Sequence, residues 1–96
     1  MYLALKVSDL DNVATVFAEG IQAGAEIEVR DKKGESVVIR ALAPIPYGHK
    51  VAVREIETGE QIMKYGEEIG VASRAIATGN HVHVHNLDSM RGRGDL

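Results

Sequence analysis

A chain of 96 residues with 45% apolar content is large enough for one globular domain, and its core must be Val, Ile, Leu and Ala, because it has one Phe, three Tyr and no Trp. A net charge of −3 excludes the basic face that nucleic-acid backbones require, and no apolar run approaches the roughly 20 residues of a membrane span. The absence of cysteine removes disulfides, thiolate metal sites and Cys nucleophiles, and the cytoplasm is the default location. A deep active site needs more wall than so small a domain provides, so a partner, or a second copy in a homo-oligomer, is expected to supply it.

In chain order, Leu3, Leu5 and Val7 alternate with Ala4 and Lys6 and predict an opening strand. The segment from Asn12 to Phe17 has a helix-compatible face in Val13, Val16 and Phe17, but its β-prone residues favour a strand. Ile27 and Val29 alternate with Glu26, Glu28 and Arg30, Asp31-Lys32-Lys33-Gly34 forms a polar hairpin turn, and Ser36 to Leu42 returns as a strand. No segment predicts a long helix.

One pattern recurs four times: Ile, two residues, Gly, two residues, then Ile or Val. It is found as Ile21-x-x-Gly24 to Ile27, Ile45-x-x-Gly48 to Val51, Ile56-x-x-Gly59 to Ile62 and Ile76-x-x-Gly79 to Val82. The Ile anchors a strand end in the core, and the Gly takes the positive φ of a tight turn. The residue three beyond it starts the inward face of the next strand. Unequal spacings of 24, 11 and 20 residues between successive copies exclude a solenoid and predict a folded-over β structure.

The chemistry-bearing residues cluster late in the chain. His81, His83 and His85 are two apart, so a strand would set all three on one face, neighbours about 6.6–7 Å apart at Cα. Two such imidazoles can share a metal ion, and His49, after the Pro46-Tyr47-Gly48 turn, is a candidate fourth ligand or acid/base partner. The alternative is a solvated polar sheet face. Lys50 beside His49 could meet a carboxylate or simply sit at an exposed turn. Asn86 could bond a ligand hydroxyl or end a strand. Lys64-Tyr65-Gly66 reads as a structural turn or as a ligand contact. The C-terminal Arg91-Gly92-Arg93-Gly94-Asp95-Leu96 suggests a flexible tail from 89 to 96, following a domain of residues 1–88; Arg91 and Arg93 could clamp a carboxylate or dock on a partner. Its Arg-Gly-Asp tripeptide is a chance match.

Three stretches carry a family resemblance: Asp11-Asn12-Val13-Ala14, Gly48-His49-Lys50-Val51-Ala52, and the run from Lys64-Tyr65-Gly66 through Ile69-Gly70 to Val82-His83-Val84-His85-Asn86. Together they resemble the SAF domain of the altronate and galactarate dehydratase family, whose pattern runs GHK-x-A, KYG-x-x-IG, VH-x-HN. The resemblance implies a mostly β, β-clip fold of short hairpins and I-x-x-G turns, and a part in eliminating water from a sugar acid to give a 2-keto-3-deoxy acid. Many members fuse this module to a large catalytic domain. A chain stopping at Leu96 is therefore expected to be the small subunit beside a large catalytic one, as in the related sulfolactate sulfo-lyase. The alternative is a non-catalytic module that binds a sugar acid or a protein. The resemblance implies His49, His83 and His85 as catalytic, with Lys50, Asn86, Arg91 and Arg93 binding substrate. A divalent metal, ferrous iron being one candidate, is expected on His83 and His85 and shared with or held by the large subunit. His81 falls outside VH-x-HN and reads as a bystander.

Overall fold

The computed structural model describes residues 1–89, which form strands joined by turns, bends and irregular segments, with none in a helix. The nine strands are β1 (Tyr2–Leu5), β2 (Val13–Val16), β3 (Glu26–Arg30), β4 (Ser36–Arg40), β5 (Lys50–Ala52), β6 (Gln61–Lys64), β7 (Glu67–Ala72), β8 (His81–Val82) and β9 (Leu87–Ser89). Six form one sheet in the order β4-β3-β1-β2-β5-β8, and β6-β7-β9 form a second. All neighbours are antiparallel except β1 and β3, which run parallel. This is the β-clip of the SAF type that the family resemblance implies.

The four copies of the repeat build the skeleton. Their isoleucines, Ile21, Ile45, Ile56 and Ile76, are each 1% exposed, and the residues that follow, Ile27, Val51, Ile62 and Val82, are fully buried. Each turn closes with a bond from the residue after Gly back to the residue after Ile: Ala25 to Gln22, His49 to Pro46, Glu60 to Glu57, Asn80 to Ala77. The glycines have φ of 81–93° and the residues before them do not, which is type II geometry. The isoleucines bridge in pairs, Ile21 with Ile45 and Ile56 with Ile76.

A further device fixes each turn. The Gly amide donates to the carbonyl of a small buried residue at the end of another strand, and that residue's amide donates back to the carbonyl after the Gly. The four clamping residues are Ala41, Val16, Ala72 and Ala52 for Gly24, Gly48, Gly59 and Gly79, with bonds of 2.7–3.0 Å. Both backbone groups at every strand switch are thus satisfied in the interior, where an unpaired one would cost about 1–3 kcal/mol.

The core divides into two clusters. One gathers Ile21, Ile27, Ile45 and Val51 with Ala4, Val16 and Val29; the other gathers Ile56, Ile62, Ile76 and Val82 with Val13 and Ala52. The opening strand forms as expected, but its buried residue is Ala4 rather than the larger Leu3 or Leu5. Ala4 lies in register between Val16 and Val29, where two buried valines leave room for a methyl group.

The two clusters are joined by buried polar residues. Asn12 is fully buried; its Nδ2 donates to the Gln61 carbonyl and its Oδ1 accepts from the Met63 amide. Asp11 accepts from the amides of Val7, Ser8 and Gly66. Burial alone would raise its pKa, but the amide bonds from Gly66, Ser8, Val7 and Tyr65 outweigh it and hold the carboxyl below its ordinary value. Gly66 belongs to the β6–β7 hairpin, where Tyr65 and Gly66 have φ of 56° and 79°, the two positive values of a type I′ turn. Lys64-Tyr65-Gly66 is thus a hairpin turn, with the Tyr65 hydroxyl 3.3 Å from Thr15 Oγ1.

Candidate functional site

The candidate site lies where the second and fourth repeats meet. The turn at 46–49 leads into β5 and the turn at 77–80 leads into β8, and these strands pair antiparallel, Lys50 with Val82 and Val51 with His81. One step further along this ladder, His49 stands opposite His83. The ladder thus brings together three histidines that the sequence separates by up to 34 positions.

The expected straight strand of three histidines is not what forms. β8 ends at Val82, and His83 to Asn86 curl into a turn closed by the Asn86 and Leu87 amides on the His83 carbonyl. Asn86, 3% exposed, holds the turn: its Oδ1 accepts from the His83 amide and its Nδ2 donates to the His81 carbonyl, 2.9 Å each. Both heteroatoms of its amide serve the backbone. The physical reason for the departure is this side chain, which offers the backbone a local alternative to the ladder.

The rings gather as a result. His49 Nδ1 and His81 Nε2 are 2.9 Å apart in a hydrogen bond, one nitrogen carrying the proton and the other accepting. The rings stack, His49 on His83 at 4.4 Å between centroids, His49 on His81 at 5.1 Å and His81 on His83 at 5.4 Å. One ligand nitrogen from each of His49, His81 and His83 lies within 4.8 Å of the others. His85 is outside this trio, its ring tilted 42° to His81 at 5.4 Å. The pair expected to bind metal, His83 with His85, is thus replaced in the geometry by His49, His81 and His83. His81, which falls outside the motif, occupies the centre.

Electrostatics favour the neutral form of His81 and His83. Burial, then the neighbouring His49, His83 and His85, then Lys50, lower the His81 pKa to about 4. Burial and the charges of His49, Lys50 and His85 lower that of His83 too. Neutral imidazole is the form that binds a metal ion or accepts a proton. The residues present therefore fit a divalent transition ion: three imidazole nitrogen donors with pinned backbones.

Lys50 does not join the rings. Alternation along β5 sends it to the opposite face from Val51, towards Thr15, its partner in β2. Burial, and then the charge of Lys64, lower its pKa. Arg91 and Arg93 lie outside the described residues. Two clefts of about 630 and 460 Å³ flank the β3–β4 hairpin and Gly66, and no histidine lines either. The histidines form an exposed-to-half-buried surface, not a pocket. Among the described residues no helix is long and apolar enough to cross a membrane.

An all-strand clip with paired I-x-x-G turns and an imidazole surface at their seam defines a SAF-type module. The chain belongs to the altronate/galactarate dehydratase SAF domain family, whose model matches residues 2–90. It is 35% identical to the (2R)-sulfolactate sulfo-lyase subunit alpha of Chromohalobacter salexigens over 95% of this chain and 99% of that subunit. It is 39% identical to the altronate dehydratase of Escherichia coli K12 over 96% of this chain but only 19% of that enzyme. The galactarate dehydratase (L-threo-forming) of the same organism matches at 39% over 81% of this chain and 14% of its own length. The chain therefore spans less than a fifth of the dehydratases it matches and nearly all of the sulfo-lyase subunit. The relatives' names place the family among lyases and dehydratases.

Proposed function

We propose that this chain is the small subunit of a two-subunit hydroxy-acid lyase, acting with a large catalytic subunit on a sugar acid in an altronate-type dehydration. The carrying observation is the convergence of His49, His81 and His83 at the β5–β8 seam with His85 beside them. In the elimination a base takes the proton from the carbon bearing the carboxylate. The bonding pair forms the carbon–carbon double bond as the substituent on the next carbon leaves, and the resulting enol becomes a 2-oxo acid. In this reading His85, outside the trio, is the imidazole free to accept that proton, and Lys50 biases the site towards an anionic substrate. Asn86 holds the turn that presents His83 and His85. A divalent ion, ferrous iron being one candidate, held by His49, His81 and His83 would supply a Lewis acid for carboxylate and hydroxyl oxygens. The half-open surface leaves the remaining wall to the large subunit.

A second reading is carbon–sulfur elimination from a sulfonated hydroxy acid, favoured by the match over nearly the whole of the sulfo-lyase subunit alpha. Both reactions share the proton abstraction and differ in the leaving group, water or sulfite. The test is co-purification of the tagged chain with its genomic neighbours, followed by assays on altronate and on sulfolactate with added ferrous iron. The lyase reading expects a large subunit to come down and the pair to form a 2-oxo acid that neither forms alone. His85→Ala should then lower kcat by ~10²-fold or more while the pair still assembles. If no partner is captured and neither substrate turns over, the reading fails, and a non-catalytic binding module takes its place.

A further inference from the structure

We propose that His49, His81 and His83 form a metal site belonging to this chain alone, which binds one divalent transition ion of the zinc, cobalt or ferrous class without a ligand from any partner. The site deepens the lyase reading by naming where its Lewis acid sits, yet it can be tested with no turnover at all.

The first ground is that the fold does not ask for these histidines. All four repeats share the same turn, the same clamp and the same buried Ile, so their positions can be compared directly. The position held by His49 is held by Ala25, Glu60 and Asn80 in the other copies, and that held by His81 by Glu26, Lys50 and Gln61. Any polar or small residue satisfies the turn there. Imidazole occurs at these positions only in the second and fourth copies, whose strands pair.

The second ground is geometric. Ligand nitrogens around a tetrahedral ion at about 2.0–2.1 Å lie roughly 3.3 Å from one another. One pair already stands at 2.9 Å, and all three nitrogens fall within 4.8 Å. Side-chain rotations that draw the nitrogens from within 4.8 Å to about 3.3 Å would close the set. The His49 carbonyl is bonded to the Val16 amide, the His81 amide to Asn80 Oδ1 and the His83 amide to Asn86 Oδ1, so the ligands are held before the ion arrives.

The third ground is donor chemistry. The trio is made of imidazoles with no carboxylate among them, a set that suits zinc, cobalt, nickel or ferrous iron and suits magnesium and calcium poorly. All three residues remain partly exposed, so a fourth position opens to solvent, as sites that bind a substrate oxygen require.

The experiment is titration of the full chain, alone, with cobalt(II), followed by its visible d–d absorption and by calorimetry, and repeated with zinc, magnesium and calcium. The proposal expects one cobalt per chain with intense low-symmetry bands, competition by zinc, and no heat from magnesium or calcium. His81→Ala and His49→Ala should each weaken cobalt binding by ~100-fold or more, and His85→Ala by less than about threefold. His49 sits on a turn and off the core, so its variant remains informative if His81→Ala fails to fold, which amide dispersion would show. Absent bands overturn the site. So does binding retained in His49→Ala, which would mean adventitious surface histidines, and so does binding lost in His85→Ala. Lyase activity of the paired subunits that persists in His49→Ala without bound metal would sink this site and leave the lyase reading standing.

Discussion

The two halves of the molecule are built from the same parts and carry different loads. Residues up to Val53 contain the first two repeats, bridged at Ile21 and Ile45; those from Arg54 onward contain the last two, bridged at Ile56 and Ile76. Each half anchors its own aliphatic cluster, and Val13 and Ala52 of the first half pack into that of the second. The first half spreads its strands through a six-stranded sheet, whereas the second rests largely on the β6-β7-β9 sheet and lends β8 to the first. The outer copies, the first and third, show Ala25-Glu26 and Glu60-Gln61 after their glycines. The inner ones, joined across the seam, show His49-Lys50 and Asn80-His81. A repeated skeleton thus supplies stability throughout, and the histidines gather at the seam where the second and fourth copies pair their strands.

The largest expected effect comes from testing whether all four glycines are equivalent. Gly24, Gly48 and Gly59 have open space where a Cβ would go, so alanine there faces only the positive φ, about 1–2 kcal/mol. Gly79 has a φ of 90°, and a Cβ on it would run into the Arg40 carbonyl, which belongs to the other half. That is backbone, not the tip of a flexible chain, and it cannot yield cheaply. Gly79→Ala should cost more than ~3 kcal/mol by urea denaturation, against about 1–2 for Gly59→Ala. Equal costs would mean that the fourth turn is not wedged against the first half.

A smaller loss tests the polar seam. Asn12→Ala leaves the Met63 amide and the Gln61 carbonyl without their partner at a fully buried position. About 2 kcal/mol of destabilisation is expected, since each orphaned buried group costs roughly 1–3 kcal/mol and water reaches part of the hairpin. Hydrogen exchange should speed up in the β6–β7 hairpin before it does in β3–β4. Uniform acceleration across both sheets would show that Asn12 holds up the whole fold and not the junction.

Much of this skeleton is legible in the sequence, because the I-x-x-G pattern encodes both a buried anchor and a positive φ. The clamp is also written there, as Ala41, Ala52 and Ala72, each four residues before its Ile, but small residues carry too little signal to be read without knowing the partner strand. The site is less legible for a physical reason. A motif places His83 and His85 by their neighbours in the chain, whereas the trio is assembled by the β5–β8 register, a pairing of strands that no local pattern specifies. His81 gains its central place from being opposite Val51. The turn at His83 depends on Asn86, whose side chain reads equally well as a ligand or as a strand end until its hydrogen bonds are seen.

The smallest effect is a pH dependence with two separate stages, one from each kind of buried titratable group. His81 falls from an ordinary value of 6.5 to about 4 in the fold. Between those values the unfolded chain binds more protons, so the metal-free protein loses stability as pH falls from about 6.5 to about 4 and is indifferent above that window. Asp11 is also depressed, from 3.8, but as a carboxylate stabilised by amide donors it contributes fully above that value and is lost only as pH drops through its lower folded one. Urea midpoints between pH 8 and 3 should therefore decline gently first and more steeply below pH 4. His81→Gln should reduce the upper stage to what the likewise depressed His83 contributes and leave the lower one, and Asp11→Asn should remove the lower stage and leave the upper. The upper slope stays well under one proton, because the His81 ring remains partly in water, which screens the repulsion that keeps it neutral. An upper stage unchanged in His81→Gln would place the depressed imidazole on His83.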